Sequence, residues 1–543
     1  MKSLSFFAQL GLLGFASASS LSCSVDAFQK ILNRNNLNGT VLAATAIAAN
    51  GTYHVSDDEA YSTSPTGLPA LCQLEANMTT VAGTTYSFGL FLPNEWNDRF
   101  LAVGNGGYAG GINWIDMGAG VGYGFAVMST DTGHQGGYQD TAWAYHNDES
   151  IVDWAWRALH EATVTSKVII QDWYGQSSKY NYYSGCSVGG RQGLRALQLF
   201  PEDYDGVSSG APAWWTTHNQ LFALKVLLWN FPEDAEHTIP ESMFNVIGDE
   251  VLRQCDPQDG LTDTIVSDPL GCNFNLLTLL CEGGNTTDCL SGPQLDTLYQ
   301  VYGDWVDVNQ TFVFPHYLYG TESSWSSAIG TGSLSSIENQ SGFAQDLLGF
   351  GSAWNYTDLT YATVQLADKI NPGNATADDF DITPFQARGG KLIHHHGLAD
   401  PTLPTGSSLY FYSHVARAIA SSNTTIDDFY RMFLIPGMEH CMSTPTSMNA
   451  PWYIAGANQA AELGDDVSGV PGYRDAEHDV ILALMNWVEN GTAPDYIIAT
   501  KYTDDSTHDE VLRQRPICPF PSQAKYSGSG SADLPENWSC EEY

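Results

Sequence analysis

The feature that most constrains this chain is Gly185-Cys186-Ser187-Val188-Gly189, a serine set between glycines at the spacing of a sharp strand-to-helix turn. Such a turn bends the backbone too tightly for most side chains, so small residues flank it and the serine hydroxyl stands exposed at its tip. A cysteine directly precedes this serine, and the order is reversed at His440-Cys441. If Cys186 and Cys441 are bonded, Ser187 and His440 are held side by side across a very long stretch of sequence. A nucleophile and a base would then be tied covalently where alignment matters most.

An elbow of this kind needs a strand before it and a helix after it. Short apolar runs ended by glycine predict buried strands at 100–103 and 125–128, with the glycine-rich Gly104-Asn105-Gly106-Gly107 after the first. From Ile151, apolar residues at Trp154, Ala155, Ala158 and Leu159 follow helical spacing. A strand at 180–183, the elbow, and a helix through Leu194, Leu197 and Leu199 come next. The pattern returns late: a strand at 391–393 running on toward Gly397 and Asp400, a helix over 409–420, a strand at 430–435 ending before His440. A last helix puts Val480, Leu484, Trp487 and Val488 on one face. This alternation defines an α/β protein, and strand ends are where open α/β sheets keep their chemistry.

Ser187, Asp400 and His440 occur in the nucleophile, acid, base order of the α/β-hydrolase fold. Ser187 is the candidate nucleophile, His440 the base that takes its proton, and Asp400 the carboxylate that orients the imidazole. Asp378, Asp379 and Asp381 precede the strand that should supply the acid, so Asp400 is preferred. The oxyanion donors are expected from the N–H of Val188 and from Gly106 or Gly107. The run His394-His395-His396 lies in a strand, where neighbours point to opposite faces, so the three cannot converge on one metal ion.

Between residues 211 and 384 the strand-helix alternation lapses, while aromatics and four cysteines accumulate. The stretch is too long for a structureless connection. It reads as an inserted lid domain splitting a catalytic domain of residues 19–210 and 385–543. Its Trp, Tyr and Phe residues are expected to offer an apolar wall to a substrate. The Ser- and Gly-rich tail at 522–531 reads as a loop pinned back by Cys540.

Lys2, an apolar run from Leu4 to Phe15 and small residues at Ala16-Ser17-Ala18 make residues 1–18 a signal peptide, too short for a membrane anchor. Ten cysteines in an exported chain favour disulfides. Sequons at Asn38, Asn50, Asn77, Asn285, Asn309, Asn339, Asn355, Asn374, Asn423, Asn490 and Asn537 point to a secreted, extracellular glycoprotein. A formal net charge of −40 excludes nucleic acid and anionic lipid as partners and suits solubility in an acidic medium.

With Cys186-Ser187, Asp400 and His440-Cys441 in place, the chain resembles the tannase/feruloyl esterase family of fungal secreted esterases over essentially its whole mature length. The resemblance implies an α/β-hydrolase domain interrupted by a lid, a Ser187–His440–Asp400 triad and a Cys186–Cys441 disulfide. Together with spacing it implies the pairs Cys23–Cys72, Cys255–Cys272, Cys281–Cys289 and Cys518–Cys540. It also implies a structural calcium ion in the lid, bound by Asp256, Asp259 and Asp263 and by the carbonyls of Leu261 and Ile265. Read alone, that acidic turn fits a hard cation and a solvated loop about equally. The implied activity is hydrolysis of feruloyl and p-coumaroyl esters of plant cell-wall polysaccharide, with galloyl esters, the tannase substrates, as the alternative. Some similar fungal tannases are cleaved at a dibasic site, and no adjacent Lys/Arg pair occurs here. A catalytically dead hydrolase fold used for binding is the reading from another class; the intact Ser187, Asp400 and His440 disfavour it. No organic cofactor is expected, and a monomer or homodimer is.

Overall fold

The computed structural model describes residues 22–542 apart from residues 57, 284–286 and 423. The signal peptide and the sequons at Asn285 and Asn423 therefore lie outside the described residues. Seven strands come first: β1 (Gly39–Ile47), β2 (Leu71–Thr79), β3 (Thr85–Pro93), β4 (Arg99–Val103), β5 (Ala126–Thr130), β6 (Tyr180–Cys186) and β7 (Gly206–Gly210). A small hairpin, β8 (Trp305–Val306) and β9 (Phe312–Phe314), stands apart, and β10 (Lys391–Gly397) and β11 (Tyr430–Ile435) complete the main sheet.

The main sheet has nine strands in the order β1-β2-β3-β5-β4-β6-β7-β10-β11. From β5 to β11 every neighbour is parallel, whereas β1, β2, β3 and β5 pair antiparallel. All five residues of β5 and of β7 are buried, because helices cover both faces of a parallel sheet. The helix periodicity from Ile151 extends through a π-turn at Asp153–Arg157 into Ala158–Tyr174, which stops at Gly175 with φ +75°. The fold is that of an α/β hydrolase.

Among the described residues no strand of the main sheet falls between Gly210 and Lys391. That stretch carries helices such as Thr216–Trp229, Phe244–Cys255 and Gly292–Val301, and its Phe222, Phe314, Tyr317 and Trp325 fill one apolar cluster. Val188 of the elbow and Leu403 belong to the same cluster, so this layer is packed directly onto the residues that flank Ser187 and Asp400. One expectation is corrected at the other end of the chain. The tail is not all loop: β14 (Ser522–Tyr526) pairs antiparallel with β15 (Trp538–Glu542), after the pair β12 (Ile497–Tyr502) and β13 (Val511–Ile517). Cys540, bonded to Cys518, sits opposite Ala524 in that ladder, and cross-strand pairing overrides the weak strand propensity of Ser, Gln and Lys.

Three buried carboxyls set how stability depends on pH. Burial raises Asp116 to about 6, Asp131 to about 7 and Asp479 to about 7. Each has a folded pKa above its unfolded value, so the native state holds the extra proton between about pH 4 and 7, and stability falls as pH rises through that window. Repulsion within a chain of net charge −40 acts in the same direction. Asp400 has the opposite sign: its pKa is depressed, and its contribution is lost only as pH falls below the usual carboxylate range. Buried His394 and His395, both held below the ordinary imidazole range by burial, act the other way up to about pH 6.5, so the melting temperature is expected to fall only as pH rises from about 6.5 to 8, by about 1–2 °C; a rise over that window in calorimetry would contradict this.

Candidate active site

The serine sits where strand β6 passes into the helix Val188–Leu199, with φ +62° and ψ −124°, a conformation that side chains rarely adopt. Gly185 and Gly189 are required by contact as well as by bending. A Cβ on Gly185 would lie 2.6 Å from the Gly189 carbonyl oxygen, and one on Gly189 would lie 3.0 Å from that of Asn105. The turn is pinned by its own backbone: Ser187 N–H donates to the Gly210 carbonyl and Ala213 N–H to the Ser187 carbonyl, each at 3.0 Å. Arg191, fully buried on the same helix, donates to the Ala155 carbonyl at 2.8 Å and lies over the Trp154 ring at 4.3 Å.

The other two partners arrive on the ends of β10 and β11. Asp400 is buried, and its two oxygens divide their work. Oδ1 accepts the N–H groups of Thr402 and Leu403, both at 2.8 Å. Oδ2 accepts from His440 Nδ1 at 2.7 Å and from His396 Nε2 at 2.9 Å. The His440 and His396 rings and their hydrogen bonds hold the Asp400 carboxyl well below the usual carboxylate range against the opposing effect of burial. His440 itself keeps a partly exposed side chain. The Cys186–Cys441 disulfide, with Cα atoms 5.9 Å apart, joins the residues next to Ser187 and His440 and so ties the serine's turn covalently to the loop that carries the imidazole. The remaining cysteines pair as Cys23–Cys72, Cys255–Cys272, Cys281–Cys289 and Cys518–Cys540, in agreement with the pairing the resemblance implied.

The glycine-rich loop lies against the elbow, fastened by Asn105 N–H to Gln192 Oε1 at 3.0 Å. Of its two candidate donors, Gly106 N–H is already given to the Tyr61 hydroxyl at 2.8 Å. Gly107, with φ +52°, lines the cavity at Ser187 together with Val188. Val188 opens a helix, where N–H groups have no carbonyl within the helix to bond. Tyr61 and Gln192 carry no sequence motif that would have picked them out.

The cavity above Ser187 is about 270 Å3. Its walls differ from the sequence-based expectation. The inserted stretch supplies Phe343 and Leu227, but mostly amides and hydroxyls: Asn219, Gln220, Gln340, Ser327 and Ser336. Its large aromatics are occupied in filling that layer's own core. Tyr108 and Tyr138 approach from the glycine-loop side, and Thr402 and Leu403, which hold Asp400, complete the wall. A further tie between the layers is the Ser324 hydroxyl, which donates to Glu439, next to His440.

His394, His395 and His396 alternate across β10 as the strand geometry requires. His394 and His396 share one face and both meet the Ser408 hydroxyl, while neither ring nitrogen of buried His395 finds a hydrogen-bond partner among the described residues. The acidic turn at Asp256–Asp259 continues through Gly260 at φ +93°. Asp256 accepts the N–H groups of Asp263 and Thr264 at 3.0 and 2.9 Å, Asp259 that of Leu261 at 2.8 Å, and Asp263 pairs with buried Arg515 and accepts from Ile265 N–H at 3.3 Å. Burial and the neighbouring carboxylates raise the carboxyls of Asp256 and Asp259. Among the described residues no three acidic, histidine or cysteine side chains converge as a metal site. The carboxylates of Asp256, Asp259 and Asp263 on one turn are oxygen donors of the kind a hard cation takes, although Asp263 is also paired with Arg515.

A parallel sheet that hands a strained serine to a helix N-terminus, and delivers a carboxylate–imidazole pair from its next strand ends, is the plan of an α/β hydrolase of the esterase type. The family described as tannase and feruloyl esterase matches residues 72–541, and this chain belongs to it. Feruloyl esterase B of Aspergillus niger is 32% identical over 542 residues, covering 97% of this chain and 99% of that protein. Probable feruloyl esterase B-1 of Aspergillus oryzae is 30% identical over 96% of this chain and 94% of its own length. The crystal structure of feruloyl esterase B from Aspergillus oryzae superposes with a TM-score of 0.85 at 30% identity, covering 95% of this chain and 99% of that one. Tannin acyl hydrolase from Aspergillus niger shares the fold, with a TM-score of 0.73 at 21% identity and 96% of each chain covered.

Proposed function

We propose that this protein is a secreted serine carboxylesterase that hydrolyses feruloyl and p-coumaroyl esters of plant cell-wall polysaccharides. The observation that carries the proposal is the Asp400–His440 pair at 2.7 Å, joined through Cys186–Cys441 to the Ser187 turn, which lines an open cavity. Ser187 Oγ attacks the ester carbonyl carbon while His440 Nε2 takes its proton. The carbonyl oxygen becomes an oxyanion facing the N–H groups of Val188 and Gly107. The ester C–O bond then breaks, His440 gives its proton to the departing sugar oxygen so that it leaves as a hydroxyl, and an acyl-enzyme remains on Ser187. Water, deprotonated by His440, releases the free acid and restores the serine. Asp400 fixes the Nδ1–H tautomer and stabilises the imidazolium formed in each half-reaction.

A cavity of about 270 Å3 suits a single-ring phenolic acyl group better than a bulky polyphenol. Its amide and hydroxyl walls can bind ring hydroxyl and methoxy substituents. The relatives of 30% identity or more bear the feruloyl name over nearly their full length, which favours that substrate over the galloyl ester. Comparing kcat/KM for methyl ferulate and methyl gallate tests the choice; a higher value on gallate would replace it with a tannase.

Secretion and glycosylation complete the reading. Five disulfides pair all ten cysteines, no described helix is long and apolar enough to cross a membrane, and the sequon residues Asn38, Asn50, Asn309, Asn339, Asn355, Asn374 and Asn490 are exposed. Asn339 also lines the Ser187 cavity, so a glycan there would stand at its mouth. Calcium on the Asp256, Asp259 and Asp263 turn would cross-link that turn without reaching the serine. Chelation by EDTA is then expected to lower the melting temperature by several degrees while turnover at 25 °C persists; an unchanged melting curve would remove calcium from the description.

A further inference from the structure

Asp400 is the end of a buried hydrogen-bonded chain that the triad chemistry does not use. Tyr430 Oη lies 2.7 Å from His394 Nδ1, and His394 Nε2 lies 2.8 Å from Ser408 Oγ. Ser408 Oγ lies 2.7 Å from His396 Nδ1, and His396 Nε2 lies 2.9 Å from Asp400 Oδ2. Tyr430, His394, Ser408 and His396 have no exposed surface, so no bulk water serves them.

The proton positions follow from the partners. His396 Nε2 also lies 3.0 Å from the Leu403 carbonyl, which can only accept, so that nitrogen carries a proton. In a neutral ring Nδ1 is then an acceptor, and the Ser408 O–H donates to it. Ser408 Oγ in turn accepts from His394 Nε2–H, which leaves His394 Nδ1 to accept the Tyr430 O–H. Every polar group in the chain is satisfied in this one direction. The reverse direction would require a cationic His396 and would leave the Tyr430 hydroxyl hydrogen without an acceptor. Burial, with the charges of His396 and His395, holds His394 far below the ordinary imidazole range, in keeping with a neutral chain.

We propose that His396 is a positioning residue for the triad: it gives its Nε2–H to the same Asp400 oxygen that His440 uses, and Ser408, His394 and Tyr430 lock it in that orientation. Two donors share one oxygen, so the carboxylate is stabilised without His440 needing to be charged. The consequence is an Asp400 oxygen whose charge is divided between two ring N–H donors, so that losing one of them changes what the other feels. The other groups that face this cluster are His395 on the far side of β10, Glu439 beside His440, and Tyr317 from the inserted layer; Glu439 and Tyr317 both feel the Asp400 charge. The inference rests on the esterase reading of Ser187 and goes beyond it by naming what tunes the base.

The test is the pH profile of kcat/KM on 4-nitrophenyl acetate, a small ester that does not depend on the choice between feruloyl and galloyl groups. In His396→Phe and in Ser408→Ala the acid limb is expected to move up by about half a pH unit or more. KM should stay within about twofold, since neither residue lines the cavity. His396→Gln, which keeps an N–H donor, should restore part of the shift. If His396→Phe does not fold, Ser408→Ala decides, because it removes one oxygen from the chain and little volume. An acid limb that coincides with the wild type while the melting temperature falls would reduce the chain to a packing feature. Loss of the esterase reading would look different: full turnover surviving in Ser187→Ala.

Discussion

Replacing Ser187 by Ala is expected to lower kcat on a feruloyl ester by about 10^4-fold or more and to abolish labelling by a fluorophosphonate probe. Both effects follow from the loss of one oxygen at a turn that nothing else in the cavity can supply. The same position gives a second, independent readout. Its φ of +62° is costly for any residue with a Cβ. Ser187→Gly should therefore be as inactive as Ser187→Ala and yet more stable than the wild type, by about 1 kcal/mol. A chain that loses activity and stability together in Ser187→Gly would show that the turn is not held under strain. Wild-type labelling in Ser187→Ala would place the nucleophile elsewhere, and an unlabelled wild type would favour the binding-module reading.

The second large effect concerns the disulfide. Cys186 and Cys441 are separated by 255 residues and both are buried. Closing so long a loop in the unfolded chain is worth about 5–6 kcal/mol in the chain-entropy description. The double replacement Cys186→Ala, Cys441→Ala is thus expected to lower the melting temperature markedly. It should also depress kcat by about 10^2-fold with KM little changed, because the cavity is intact while Ser187 and His440 lose their common anchor. Equal kcat in the double variant would make the bond a stability element only, with the alignment left to the Asp400 hydrogen bonds.

Much of the site could be read without coordinates, for a definite reason. The glycines around Ser187, the cysteines beside Ser187 and His440, and the positions of Asp400 and His440 after strands are local statements. Each depends on what a few consecutive residues permit the backbone to do, or on a covalent bond that two cysteines can form. Strand and helix assignments around the elbow share that character, since burial on both faces leaves continuous apolar runs and helix burial leaves a 3.6-residue period. The antiparallel entry strands β1 to β3 were not legible in the same way. Their mixed burial gives a weaker pattern, and their pairing joins residues far apart in sequence. The hairpin of β14 and β15 was hidden for the same reason, its ladder being set by a partner strand.

What the sequence determined by itself is the candidate chemistry: a serine on a strained turn, a candidate base and acid in hydrolase order, and a cysteine pair that ties their segments together. Those properties follow from bond geometry and residue type. Only the tertiary structure decided which loop N–H remains available, because Tyr61 takes that of Gly106 from a distant segment. It also decided that the inserted layer turns most of its aromatics inward and presents mainly amides and hydroxyls, with Phe343 and Leu227, to the cavity. The bridge from His396 to Asp400, and through Ser408 to His394 and Tyr430, likewise required the helix Gly406–Ile419 to be laid against β10 and β11. Each of these is a choice among equivalent local options, settled by which neighbour in space reaches the group first.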